Sequence, residues 1–79
     1  MAETPTPRTL SVTTEIVASV LRIEVAPGDR VHAGQTLLVL ESMKMEMPID
    51  SPADGEVIRV AVAVGDVVQE GDELAELRL

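Results

Sequence analysis

The chain predicts an all-β domain with internal two-fold pseudo-symmetry. Three observations carry that prediction. The apolar fraction of 46% holds no Phe, Trp or Tyr and is rich in valine, whose branched side chain favours strands. Glycine-centred turns recur too closely for a helix to fit between them. A shift of 37 residues lays "VLRIEVAPGDRVHAGQTLLVL" over "VIRVAVAVGDVVQEGDELAEL".

Taken in order, residues 1–10 are Thr/Pro-rich and read as a flexible tail, leaving 11–79 as the domain. "ASVLRIEV" and "GEVIRVAV" alternate apolar and polar in part, as half-buried strands do. In the repeat Val20 matches Val57, Arg22 matches Arg59, and Gly28-Asp29 matches Gly65-Asp66. Val31 matches Val68, Gly34 matches Gly71, Leu37 matches Leu74 and Leu40 matches Leu77. Each unit reads as strand, Gly-Asp turn, very short strand, Gly turn, strand.

Between the units lies "TLLVLESMKMEMPID". A helix starting at Leu37 would put Leu40, Glu41 and Lys44 on one face, two charges on an apolar stripe. Period two fits instead, because Met43, Met45, Met47 and Ile49 alternate with Lys44, Glu46, Pro48 and Asp50. "TLLVLE" and "MEMPID" are therefore expected to be two strands, turning near Ser42 to Lys44, with Pro48 on an edge. A tight hairpin turn normally uses Gly, Asn or Asp, since it needs φ > 0. Ser, Met and Lys here break that rule, as functional sites tend to do.

Composition excludes several functions. With 14 acidic against 6 basic residues the net charge is −8, and there is no basic stripe or aromatic platform for nucleic acid. The same charge is repelled by an anionic membrane, and it favours a soluble monomer. Seventy-nine residues make one domain with a modest core, and without cysteine no disulfide can brace it. No apolar run would span a bilayer and the N-terminus has no secretory h-region, so the cytoplasm is the expected compartment. The initiating methionine and the tail favour a free-standing protein. His32 has no partner cluster and is expected at the surface, and Asp50 and Asp54 are expected to solvate the "SPA" loop rather than hold a metal. No nucleophile triad, phosphate loop or metal spacing is present.

"ESMKME" midway between two V-x-x-G-D units resembles the attachment motif of biotinyl domains, the carboxyl-carrier modules of biotin-dependent carboxylases. The likeness covers about residues 12 to 78. Ser42 stands where the family more often has alanine. The first unit has "ASV" where the second has "DGEV", and it lacks the Pro-Gly often seen there in the family. No insertion precedes "APGD", so the protruding thumb of some carriers is not expected. The resemblance implies a flattened β-sandwich or barrel of two four-stranded antiparallel sheets. The lysine hairpin would lie at one end and the paired termini at the other. Pro7, the repeat mate of Lys44, then falls in the tail.

By the same resemblance, Lys44 would carry covalent biotin and the domain itself would be no enzyme. The cofactor would ferry a carboxyl group between biotin carboxylase and carboxyltransferase subunits, with an acyl-CoA the expected acceptor. Biotin protein ligase would be a further partner. A lysine amine must be neutral to attack, against an ordinary pKa of about 10.4. Glu41 and Glu46 favour the ammonium, so the ligase must supply the base or the desolvation. Met43, in the turn, is expected to be exposed for recognition. Met45, on the inward parity, is balanced between recognition and packing. Glu41, Ser42 and Glu46 complete the flanking hairpin. Two other functions share the pattern. One is a lipoyl acyl carrier, whose lysine usually sits in Asp-Lys-Ala. The other is an unmodified lipoyl-like structural adaptor.

Overall fold

The computed structural model describes residues 8–79, and every regular element among them is a strand. In order these are β1 (Thr9–Thr13), β2 (Ala18–Ile23), β3 (Arg30–Val31), β4 (Thr36–Ser42), β5 (Met45–Asp50), β6 (Gly55–Val60), β7 (Val67–Val68) and β8 (Glu73–Arg78). They form two four-stranded antiparallel sheets, β1-β8-β6-β3 and β5-β4-β2-β7. The 37-residue shift carries one sheet onto the other, strand for strand. The all-β, two-sheet expectation therefore holds.

The two halves exchange their short strands. β3 follows β2 in sequence yet pairs with β6, while β7 follows β6 yet pairs with β2. The turns that make this possible match bond for bond. Gly28 N donates to Val57 O at 2.7 Å, and Gly65 N donates to Val20 O at 2.8 Å. Val57 N returns a bond to Asp29 O, and Val20 N one to Asp66 O, both 2.8 Å. The aspartates accept from the backbone three residues back, Ala26 N to Asp29 Oδ2 at 2.9 Å and Ala63 N to Asp66 Oδ2 at 2.8 Å. Gly28 and Gly65 sit at φ 94° and 93°, where a side chain is strained.

Each hydrophobic core draws on both halves. One contains Val12, Val25, Val31 and Leu37 with Val57 and Leu77. The other contains Val20, Leu38 and Leu40 with Val68 and Leu74. Ile49 packs against both. The partial alternation of the long strands has a cause. The register slips between Val20 and Arg22 in the β2–β4 pair and between Val57 and Arg59 in the β6–β8 pair. That slip turns both arginines outward and returns Ile23 and Val60 to the cores.

Two buried hydroxyls are also repeat mates. Thr14 Oγ1 accepts from Ile16 N at 3.2 Å and donates to Ile16 O at 3.0 Å; Ser51 Oγ donates to Ala53 O at 2.6 Å. Their backbones receive Gly71 N and Gly34 N, both at 2.8 Å.

The first strand begins earlier than composition suggested. Thr9 and Leu10, expected in the tail, pair with Arg78 and Leu77, because β8 needs a partner on the side away from β6. Residues 1–7, including Pro7, lie outside the described residues. The first and last described residues lie side by side, with Leu79 N donating to Arg8 O at 2.8 Å. Pro48 lies on the edge strand β5, as expected. Only residues 24–29 join β2 to β3, too few for a thumb. "ASV" and "DGEV" begin equivalent strands, although Gly55 has a reason of its own. A Cβ there would stand 2.6 Å from the Arg78 carbonyl oxygen.

These two kinds of glycine predict different mutational behaviour. A Cβ at Gly65 would meet nothing within 4 Å, so Gly65→Val should lose about 1–2 kcal/mol through backbone strain alone. Gly65→Asn should keep most of the stability, because Asn tolerates the left-handed region. Gly55→Ala should destabilise by contact instead. Thermal melts distinguish the cases, and a wild-type melting temperature for Gly65→Val would refute the turn assignment.

Candidate functional site at the hairpin tip

The β4–β5 hairpin closes in two residues. Ser42 pairs with Met45, leaving Met43 and Lys44 as the turn. Their φ angles are 52° and 65°, the signature of a type I′ turn built without glycine or asparagine. Among the described residues they are the only non-glycine positions at positive φ. This turn matches the right-handed twist of the strands, so the strands keep their pairing while the turn side chains project from the end.

The tip lies beyond both cores. The last core residue along the hairpin is Leu40, which pairs with the half-buried Met47. Past it Met45 is 67% exposed and Met43 is 92% exposed. Met43 is thus exposed as expected. For Met45 the packing alternative is corrected, since period two gives the face of the sheet but not how far the core extends beneath it. Lys44 is exposed, and among the described residues no carboxylate comes within ion-pairing distance of it.

The flanking carboxylates do something other than hold the lysine. Glu41 and Glu46 face each other across β4 and β5, a like-charge pair that weakens a ladder. Arg22 on β2 relieves it. Its Nη1 donates to Glu46 Oε1 at 2.9 Å and its Nε to Glu24 Oε1 at 2.8 Å. Glu46 first and Glu24 second push the guanidinium above its ordinary pKa. The Arg22 position pairs with Val39, and Val39 pairs onward with Pro48, so the ion pair reaches across a buried apolar position. In the other sheet Arg59 holds Glu76, at 3.4 Å, and Glu73, whose second oxygen accepts from Ser11 Oγ at 2.6 Å.

Sequence reasoning missed the Arg22–Glu46 clamp, because its partners are 24 positions apart and only the fold joins them. It also missed Thr14 and Ser51, whose spacing of 37 was an available signal. The remaining candidates do structural work away from the tip. Asp50 Oδ1 accepts from Thr36 Oγ1 at 2.9 Å and Asp54 Oδ1 accepts from Ala33 N at 2.8 Å. His32 is exposed in the β3–β4 turn. No three metal-ligating side chains converge among the described residues.

Lys44 is thus an exposed lysine in a left-handed two-residue turn of a two-sheet sandwich. Residues 7–77 match the biotin/lipoyl family, described as "Biotin-requiring enzyme". The chain belongs to that family. It is 52% identical over 64 residues to the biotinylated protein TB7.3 homolog of Mycobacterium leprae, covering 81% of this chain and 90% of the relative. It is 48% identical over 60 residues to the dihydrolipoyllysine-residue acetyltransferase component of the pyruvate dehydrogenase complex of Pseudomonas aeruginosa. That match covers 76% of this chain and 11% of the relative. Its fold superposes on the urea carboxylase of Kluyveromyces lactis with a TM-score of 0.84 at 27% identity, over 98% of this chain and 7% of that one.

The turn predicts a stability gain from a residue that tolerates positive φ. Met43→Asn should raise stability by about 0.5–1 kcal/mol, seen as a higher melting temperature. A lower melting temperature would mean that Met43 contributes packing not evident at 92% exposure.

Proposed function

We propose that Lys44 is the attachment point for biotin and that the chain is the non-catalytic carboxyl carrier of a biotin-dependent carboxylase. The observation that carries this reading is the placement of Lys44. It stands exposed in a left-handed two-residue turn, beyond both cores, at the pivot of the repeat. Membership of a biotin-requiring family and the likeness to a biotinylated mycobacterial protein support biotin as the group. The fold shared with a urea carboxylase supports a carboxylase as the parent assembly.

The residues present fit an amide-linked arm. A primary amine that no carboxylate among the described residues grips can reach an activated acyl group, and no packed side chain among them must move to admit one. The neutral Lys44 amine would attack the biotin carboxyl activated by a ligase. The C–N bond forms, the activating group leaves, and the amine proton passes to a base on the ligase. When bound, biotin supplies the carboxyl-carrying chemistry. The chain supplies position. Its two-residue hairpin fixes the Lys44 backbone, so all the reach lies in the lysine stem and the arm.

Lipoyl carriers share the fold, and the Pseudomonas relative belongs to a complex named for dihydrolipoyllysine. The Met43-Lys44-Met45 context favours biotin, because the lipoyl pattern Asp-Lys-Ala is absent from this chain. Co-expression with biotin ligase, followed by intact-mass measurement beside Lys44→Arg, separates the readings. A biotin-sized increase in the wild type that the variant loses is expected. No increase would sink the proposal, and a lipoyl-sized increase would replace it with the acyl-carrier reading.

A further inference from the structure

Oxidisable sulfur is concentrated around the lysine. The chain has four methionines and no cysteine, and Met43, Met45 and Met47 surround Lys44. Their settings differ. Met43 and Met45 are 92% and 67% exposed, while Met47 is half-buried opposite Leu40. Neither exposed methionine belongs to a core, so an added oxygen would displace no packed neighbour. The left-handed turn fixes one thioether beside Lys44 in the turn itself and the other at the first position of β5.

We infer that Met43 and Met45 form a reversible oxidation site that controls whether Lys44 is acylated. This rests on the reading of Lys44 as the attachment point. The oxidant is a hydroperoxide. The thioether sulfur attacks its distal oxygen, the S–O bond forms as the O–O bond breaks, and water or an alcohol leaves. Sulfur loses two electrons and the peroxide gains them. A methionine sulfoxide reductase reverses the step with thiols as the electron source, releasing the oxygen as water. The modification replaces soft apolar surface on both sides of the amine with a strong acceptor dipole. A ligase surface that covers the thioethers must then desolvate a sulfoxide oxygen without a donor to meet it. The fold is unaffected, because both sulfurs lie outside the cores.

The test treats the full chain with graded hydrogen peroxide, removes the excess, and maps oxidation by peptide mass spectrometry. The same samples are then offered to biotin ligase with biotin and ATP. Met43 and Met45 should oxidise well before Met47, with the melting transition unchanged. The acylation rate should fall about tenfold, the order expected for burying a polar group without a partner. Treatment with both classes of sulfoxide reductase and a thiol should restore it. In Met43→Leu/Met45→Leu the ratio of treated to untreated rate should stay near one. Oxidation of Met47 as fast as the outer pair, or acylation of the oxidised chain at its untreated rate, would overturn the inference. An untreated chain that the ligase never acylates would overturn the attachment reading itself, a result distinct from the oxidation order read by mass.

Discussion

The fold turns on four backbone hydrogen bonds that cross between its halves: Gly28 to Val57, Val57 to Asp29, Gly65 to Val20 and Val20 to Asp66. They let each half lend its two-residue strand to the other sheet. A two-residue strand has almost no stability of its own, and a two-stranded hairpin is marginal in water. Once β3 sits on β6 and β7 on β2, the valines at Val31 and Val68 are delivered into cores built from both halves. Neither half can then complete a core alone. A chain with no aromatic residue and no disulfide reaches a packed interior this way, through aliphatic side chains interlocked across a pseudo-two-fold.

Much of this was legible because the repeat is a physical statement. Val57 and Leu77 share a core with Val31 and Leu37, and 37 residues away Val20 and Leu40 share one with Val68 and Leu74. The strands at 36–41 and 45–50 and the edge position of Pro48 followed from period two and from the missing proline donor. What stayed hidden was non-local. No periodicity tells which sheet a two-residue strand joins. The face of Met45 could be read from its parity, yet its depth depends on where the opposite sheet ends. The start of β1 at Thr9 was masked by threonine and proline, and only the unpaired side of β8 explains it.

At the hairpin the rules that hold elsewhere are set aside together. Two bulky residues take left-handed backbone, two glutamates oppose each other, and the edge strand carries a proline. Each weakens the hairpin by a modest amount. The Arg22 clamp and the buried Leu38 and Leu40 beneath it compensate without touching the tip. Support from below and freedom above are what a presented side chain requires. Had Glu46 gripped Lys44 instead of Arg22, the amine would be tied to the surface of the sheet.

The position of this site follows from the symmetry itself. A pseudo-two-fold object made from one chain has two equivalent ends, where β4 meets β5 and where β8 meets β1. A single chain can link only one of these pairs by a tight turn. At the other pair, β8 and β1 run on side by side, and Leu79 N on Arg8 O continues their ladder. Among the described residues every other turn has a mate and is fixed by the needs of both halves, as the paired angles of Gly28 and Gly65 show. The Met43-Lys44 turn has no mate among the described residues. It is the one tight turn whose sequence the repeat does not dictate, and so the one where chemistry can be placed without disturbing the rest.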